Sequence, residues 1–138
     1  MTVAFIDTDV IIRFLTGDDL TKQAQAAAVF ERVQDGQIEI AAPDTVIADA
    51  VYVLSSPRLY HLPRDHVRDL LAPLVRLPGF KLRNRRTVLR ALDLYASANI
   101  GFGDAMIVAT MEQSGSQIVY SYDVHFERFA GIRRQEPG

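Results

Sequence analysis

The stretch "VAFIDTDVII" (Val3 to Ile12) sets Asp-Thr-Asp between two apolar runs. Val3 to Ile6 reads as a short buried strand that ends at Asp7. The following "DVIIRFLTGDD" predicts a short helix stopped near Gly17. Two carboxylates at such a junction allow three readings: a turn, a phosphatase nucleophile, or a metal ligand. Taken alone, the segment does not choose among them.

Working outward, the pattern of strand and helix repeats. "DDLTKQAQAAAVFERVQDG" predicts a helix, with acids at its start and Gly at its end. "QIEIAA" predicts a strand, and "PDTVIADAVYVLSS" a helix entered through Pro43. "LPRDHVRDLLAPLVRLPG" predicts a helix bent or interrupted at Pro73. "RRTVLRALDLYASANIG" and "GDAMIVATMEQSG" predict two more helices, "QIVYS" a buried strand, and "IRR" a last edge strand. Such alternation favours an α/β fold with a mainly parallel sheet. No repeat, low-complexity tract or linker interrupts it, so residues 1–138 are expected to form a single domain.

Composition narrows the function. With 49% hydrophobic residues the chain has material for a core, and no run of 18 apolar residues suggests a membrane span. The start "MTVAFID" lacks a basic leader, so no secretory signal is expected. Cysteine is absent, which excludes disulfides and thiolate metal sites and fits a cytoplasmic location. The net charge of -2 excludes a globally basic nucleic-acid binder. Charge is nevertheless uneven: residues 1–56 hold three basic and nine acidic side chains, and residues 57–138 hold twelve basic and eight acidic. An acidic centre with a basic approach surface would look like this, and so would a fold that mixes both on its surface.

Four aspartates fall where packing does not call for an acid. Asp7 ends the first strand, and Asp49 is the only charge in "TVIADAVYVL". Asp104 opens the helix "GDAMIVAT", and Asp123 follows the strand "QIVYS". Ligands of open parallel sheets bind beyond the carboxyl ends of strands, where Asp7 and Asp123 stand. Each acid also has a plain structural role open to it. Asp7 suits an Asx-turn, Asp104 an N-cap, and Asp123 the cap of a short helix "VHFERF". Asp49 shares a helical stripe with Thr45, Tyr52 and Ser56 that can simply face water. If the four converge, their mutual repulsion requires a cation, and the chain has only Lys22 and Lys81 as lysines. The oxygen-seeking ions Mg2+ or Mn2+ answer that need, and such ions activate water against phosphodiesters.

The blocks "FIDTDVIIRFLTGDD", "TVIADAVYVL", "GFGDAMIVATM" and "VYSYDVHFERF" resemble, in order and spacing, the four motif blocks of the PIN domain. The likeness is nearest to VapC-type toxins, the ribonuclease partners of toxin-antitoxin pairs. It implies a three-layer α/β/α PIN-like fold with a small, mainly parallel central sheet. It also implies an Mg2+- or Mn2+-dependent ribonuclease in which Asp7, Asp104 and Asp123 hold the principal ion and Asp49 completes the site. Products would carry 5′-phosphate and 3′-hydroxyl ends. Thr8, Asp9 and Ser121 fall where the family places supporting polar groups. Asp49 stands where Glu is usual, and Asp9 where Asn is common. His125 stands where relatives often carry an acid; it can approach a second metal or a phosphate, or sit as a surface histidine on a short helix.

RNA needs a basic rim to reach an acidic pocket. "KLRNRRTVLR" offers Lys81, Arg83, Arg85 and Arg86, and Arg13 lies on the helix after Asp7. The tract reads equally well as a solvated loop and helix start. The resemblance further implies a homodimer and a cognate antitoxin that covers the cleft, with Phe14, Leu15 and Phe30 as groove candidates that also suit core packing. Two rivals stand beside the toxin ribonuclease. One is a haloacid-dehalogenase-like phosphatase with Asp7 as nucleophile and Asp9 as general acid. The other is a catalytically inactive PIN-like RNA-binding module.

Overall fold

The computed structural model describes residues 3–138. Strand β1 (Ala4–Phe5) leads into helix α1 (Thr8–Leu15), and helix α2 (Leu20–Gln34) precedes strand β2 (Ile40–Ala42). Helices α3 (Thr45–Ser55) and α4 (Arg64–Arg76) lead to strand β3 (Phe80–Leu82). Helices α5 (Arg85–Ser97) and α6 (Phe102–Ser114) are followed by strand β4 (Ile118–Tyr120), a 3-10 turn (Val124–Arg128) and strand β5 (Arg133–Gln135). The fold is the three-layer α/β/α arrangement that the motif blocks imply.

Local chemistry explains the boundaries. Asp7 caps α1 by accepting a bond from the Val10 amide at 3.2 Å, and Asp19 caps α2 from Lys22 at 3.0 Å. Gly115 closes α6 with φ +75°, a conformation that favours glycine. A Cβ on Gly79 would lie 3.0 Å from the Val33 side chain, so glycine lets the entry to β3 press against α2. Of the bend or interruption expected at Pro73, the interruption does not occur: α4 runs through it. It sits in the last turn, where a missing amide loses only the bond to Asp69, and its neighbours Leu71, Ala72, Leu74 and Val75 are buried.

The strands form two separate parallel ladders. β1, β2 and β3 pair in parallel in that order, with Ala4 opposite Ile40 and Ile40 opposite Phe80. β4 and β5 pair in parallel separately, with Val119 opposite Arg134. β3, which the sequence reading passed over, has only three residues between a Pro-Gly turn and Arg83. The core is strongest around β2, β3 and the helices over them: Ile40, Ile47, Leu54, Leu71, Phe80, Leu92 and Val108 are essentially inaccessible. Burying each such side chain stabilises the fold by roughly 1.5–3 kcal/mol. All three strands of the first ladder run the same way, so their carboxyl ends share one edge. The Asn84 amide donates to Asp44 Oδ2 at 3.3 Å there, tying the exit of β3 to that of β2.

Candidate metal centre

Two elements deliver the acids that meet. Asp104 lies in the first turn of α6, but Gly101 is the cap of that helix, so the carboxylate of Asp104 is not used for capping. Asp123 follows β4 and caps the 3-10 turn, its Oδ1 accepting the His125 amide at 3.1 Å. Ser121 sets the approach, its hydroxyl accepting the Asp123 amide at 2.9 Å. The Ser-x-Asp-x-His spacing thus folds back on itself within five residues.

His125 stands between the two acids. Its Nδ1 lies 2.8 Å from Asp123 Oδ1 and its Nε2 lies 3.0 Å from Asp104 Oδ2. One donor atom from each of Asp104, Asp123 and His125 lies within 4.8 Å of the others. The ring packs against Phe126, at 4.8 Å between centroids, and Phe126 is buried. The surface-histidine reading therefore gives way: only 22% of the side chain is exposed, and it faces the acids. The available hint was its place two residues after Asp123, on a turn too short to rotate it away.

Arg134 is the support that the sequence does not announce. Its guanidinium donates to the Ser121 carbonyl at 3.0 Å, to Glu127 at 3.2 Å and to Glu136 at 3.3 Å. One side chain on β5 thereby fixes both the end of β4 and the 3-10 turn that flank Asp123.

Asp7 and Asp49 are outside the three-residue group. Asp7 is exposed at the carboxyl end of β1, with one oxygen engaged by the α1 cap. Asp49 is exposed on α3 in the stripe with Thr45 and Tyr52, so that stripe does face outward. Asp9 faces Arg13 as an i,i+4 pair, Nε to Oδ1 at 3.5 Å. The added charge at position 9 is thus offset locally, and Arg13 is correspondingly less available to a phosphate. Thr8, Asp9 and Arg13 share a depression of about 380 Å³ with Tyr60 and Asp18. Tyr60 donates to Asp18, and that bond raises its phenol above the ordinary 10.0.

The basic tract divides. Arg85 donates to the Leu77 and Phe80 carbonyls, so its guanidinium holds the turn into β3 instead of reaching for a phosphate. Lys81 pairs with Glu39 at 3.2 Å. Arg83 is exposed at the carboxyl end of β3, two strand spacings (about 10 Å) across from β1. Arg86 is exposed and lines a depression with Arg90, Glu112 and Gln113. That depression lies toward the far end of α6, about 12 Å along the helix from Asp104.

The donor set suits a divalent ion. Two carboxylates and an imidazole, each with one donor atom within 4.8 Å of the others, are donors that Mg2+ or Mn2+ accepts. His125 Nε2 is also buried and has no hydrogen-bond partner despite that proximity. An α/β chain that gathers helix-opening and strand-ending acids around such a gap is built as a metal-dependent nuclease is built. The chain belongs to the PIN domain family, whose model matches residues 4–132. PIN domains are generally metal-dependent nucleases. No curated protein matches the chain. No helix among the described residues is long and apolar enough to cross a membrane.

Proposed function

We propose that this protein is an Mg2+- or Mn2+-dependent endoribonuclease and the toxin of a toxin-antitoxin pair. The observation that carries the catalytic part is the meeting of Asp104, Asp123 and His125 within 4.8 Å. Asp104 and Asp123 would hold the ion, with Asp7 and Asp49 approaching from β1 and α3. The ion supplies Lewis acidity that lowers the pKa of a water and screens the phosphate charge. The remaining work falls to the chain. Ser121 and Arg134 hold Asp123 in place; Asp7 and Asp49 would add acidic charge, and Arg83, exposed at the carboxyl end of β3, would offer a cation to the phosphate. No side chain need act as a nucleophile.

The toxin role rests on the motif resemblance. An antitoxin segment and a second copy of the chain are the expected partners. A groove of about 520 Å³ lined by Phe14, Leu15, Leu70 and Pro73 is available to an apolar segment. Phe30 stacks beneath it on Phe14 at 4.7 Å and is itself core. The deciding assay incubates purified protein with single-stranded RNA and Mg2+ or Mn2+, with and without chelator. Metal-dependent cleavage lost in Asp104→Asn supports the reading. Retention of full cleavage in chelator, or by Asp104→Asn, overturns it, and RNA binding without cleavage leaves the inactive module.

A further inference from the structure

The chain has five tyrosines, and they fall into two groups. Tyr95 is buried, and Tyr60 donates to Asp18. Tyr52, Tyr120 and Tyr122 are instead 72%, 70% and 72% exposed. Each of these lies within three residues of a candidate acid: Tyr52 of Asp49, the other two of Asp123. The surroundings of Tyr120 are the better defined. β4 and β5 pair with Ile118 opposite Arg133 and Tyr120 opposite Gln135, so these four side chains share one face of the ladder. Val119 and Arg134 take the other face, where Val119 packs against the core and Arg134 holds Glu127 and Glu136. The outer face is left with exposed apolar groups and one cation, Arg133, which pairs with no acid among the described residues. Tyr122 and the exposed Val124 carry the apolar surface past β4 to either side of Asp123. Neither Tyr120 nor Tyr122 stacks on another aromatic ring among the described residues.

We propose that Tyr120 and Tyr122 are stacking platforms for unpaired RNA bases, and that Arg133 takes a phosphate of the same strand as it approaches Asp123. This subsite rests on the ribonuclease reading above and commits it to a single-stranded substrate. An unpaired base offers its face to an aromatic ring, whereas the bases of a duplex are already stacked on one another. Tyrosine supplies such a ring, and its hydroxyl keeps an exposed side chain wetted. Three residues of extended chain span at most about 11 Å, so both rings stand close to a candidate metal ligand. Charge favours a nucleic acid over an apolar protein partner. A strand of RNA brings a phosphate to Arg133, while an apolar surface would cover it without a counter-charge. Of the cations first expected to guide RNA, Arg13, Lys81 and Arg85 are engaged within the chain, which leaves more of that task to Arg133.

The test measures binding apart from cleavage, with the full chain in chelator. Anisotropy of a fluorescein-labelled single-stranded RNA should show tighter binding than that of a duplex of the same length. Tyr120→Ala and Tyr122→Ala should each weaken single-strand binding about fivefold or more, and the matching Phe variants should retain it. Arg133→Ala should lower the slope of log affinity against log salt by about 0.7. The chain has no tryptophan, so its tyrosine emission can be read directly, and unlabelled single-stranded RNA should quench it. The double variant Tyr120→Phe, Tyr122→Phe should bind as well yet lose most of that quenching, which assigns the signal to these rings even if the Ala variants do not fold. Absent single-strand binding, equal affinity for both RNA forms, or binding without quenching overturns the proposal. So does a loss of self-association in the Ala variants with RNA affinity intact, which makes the face a contact between copies. Metal-dependent cleavage alongside any of these results leaves the nuclease reading standing. Tyrosine-dependent binding without metal-dependent cleavage keeps the subsite and overturns the nuclease reading.

Discussion

Strands β2 and β3 differ sharply from β1 and β4. Every residue of β2 is buried and Phe80 of β3 is inaccessible, whereas β1 is exposed at both residues and Phe5 is 73% exposed. β4 likewise exposes Ile118 and Tyr120. Yet Asp7 and Asp123 leave from β1 and β4. The strands that carry the core carry no candidate ligand, and the strands that lead to candidate ligands contribute little core. Stability and chemistry are thus assigned to different parts of one domain. The consequence is that the ligand-bearing strands depend on local polar ties: the α1 cap, the Ser121–Asp123 turn and the Arg134 guanidinium.

The comparison breaks first at Asp104. Asp104→Asn should lower RNA hydrolysis by about 100-fold or more, since a ligand matters at least as much as its supports. Its unfolding free energy in urea should change by no more than about 0.5 kcal/mol, as for a surface change. A variant that unfolds instead would show that the site is also core. Phe80→Ala should cost about 3–5 kcal/mol in the same melts, while Phe5→Ala should cost about 0.5 kcal/mol or less. Equal losses would mean that the β1 edge is covered in solution, and the contrast drawn above would fall. Asp7 can separate its two tasks. Asp7→Ala should lose hydrolysis together with about 1 kcal/mol of stability, because the α1 cap goes with it. Asp7→Asn should lose hydrolysis alone, since Asn caps as well as Asp does.

Much of this division was legible in the sequence, and its gaps have physical causes. The helix periods and the Gly115 stop describe local preferences that tertiary packing preserved, whereas the strands before Asp7 and at 118–120, which read as buried, are largely exposed because they lie at sheet edges with few neighbours. β3 went unseen because three residues cannot display a strand period, and its burial comes from tertiary neighbours such as β2 and α4. Pro73 does not break α4 because it lies within the last turn, where few hydrogen bonds remain to lose. At the site, the four aspartates stood out as charge within apolar pattern, but pattern carries no distance. It did not show that Asp104 and Asp123 meet through His125 while Asp7 and Asp49 stand apart. Arg85 and Arg134 escaped for a related reason: a long cation reads as surface until its carbonyl partners are known.

The smallest expected effect tests whether the far end of α6 is structural only. Arg90 grips Glu112 through two bonds, at 2.8 and 3.1 Å, clasping α5 to α6. The hydrogen bond from Arg90 holds the Glu112 carboxyl below its ordinary 4.5, with burial opposing and the guanidinium charge assisting. A depressed carboxyl stabilises the fold fully above its unfolded value of 4.5, and that contribution is lost as pH falls through the lower folded value. Both side chains are nearly half exposed, 48% and 42%, so solvent screening limits the pair to about 0.5–1 kcal/mol. A double-mutant cycle of Arg90→Ala and Glu112→Ala should therefore show coupling of that size at neutral pH, and little once Glu112 is protonated. Coupling that persisted in strong acid would mean that the contact is apolar packing of the two stems. RNA hydrolysis at neutral pH should be unchanged in Glu112→Ala, because that residue is on the opposite side of α6's length from Asp104. A loss of hydrolysis with stability intact would instead bring the Arg86–Arg90 depression into the RNA path and shift the boundary between the two regions.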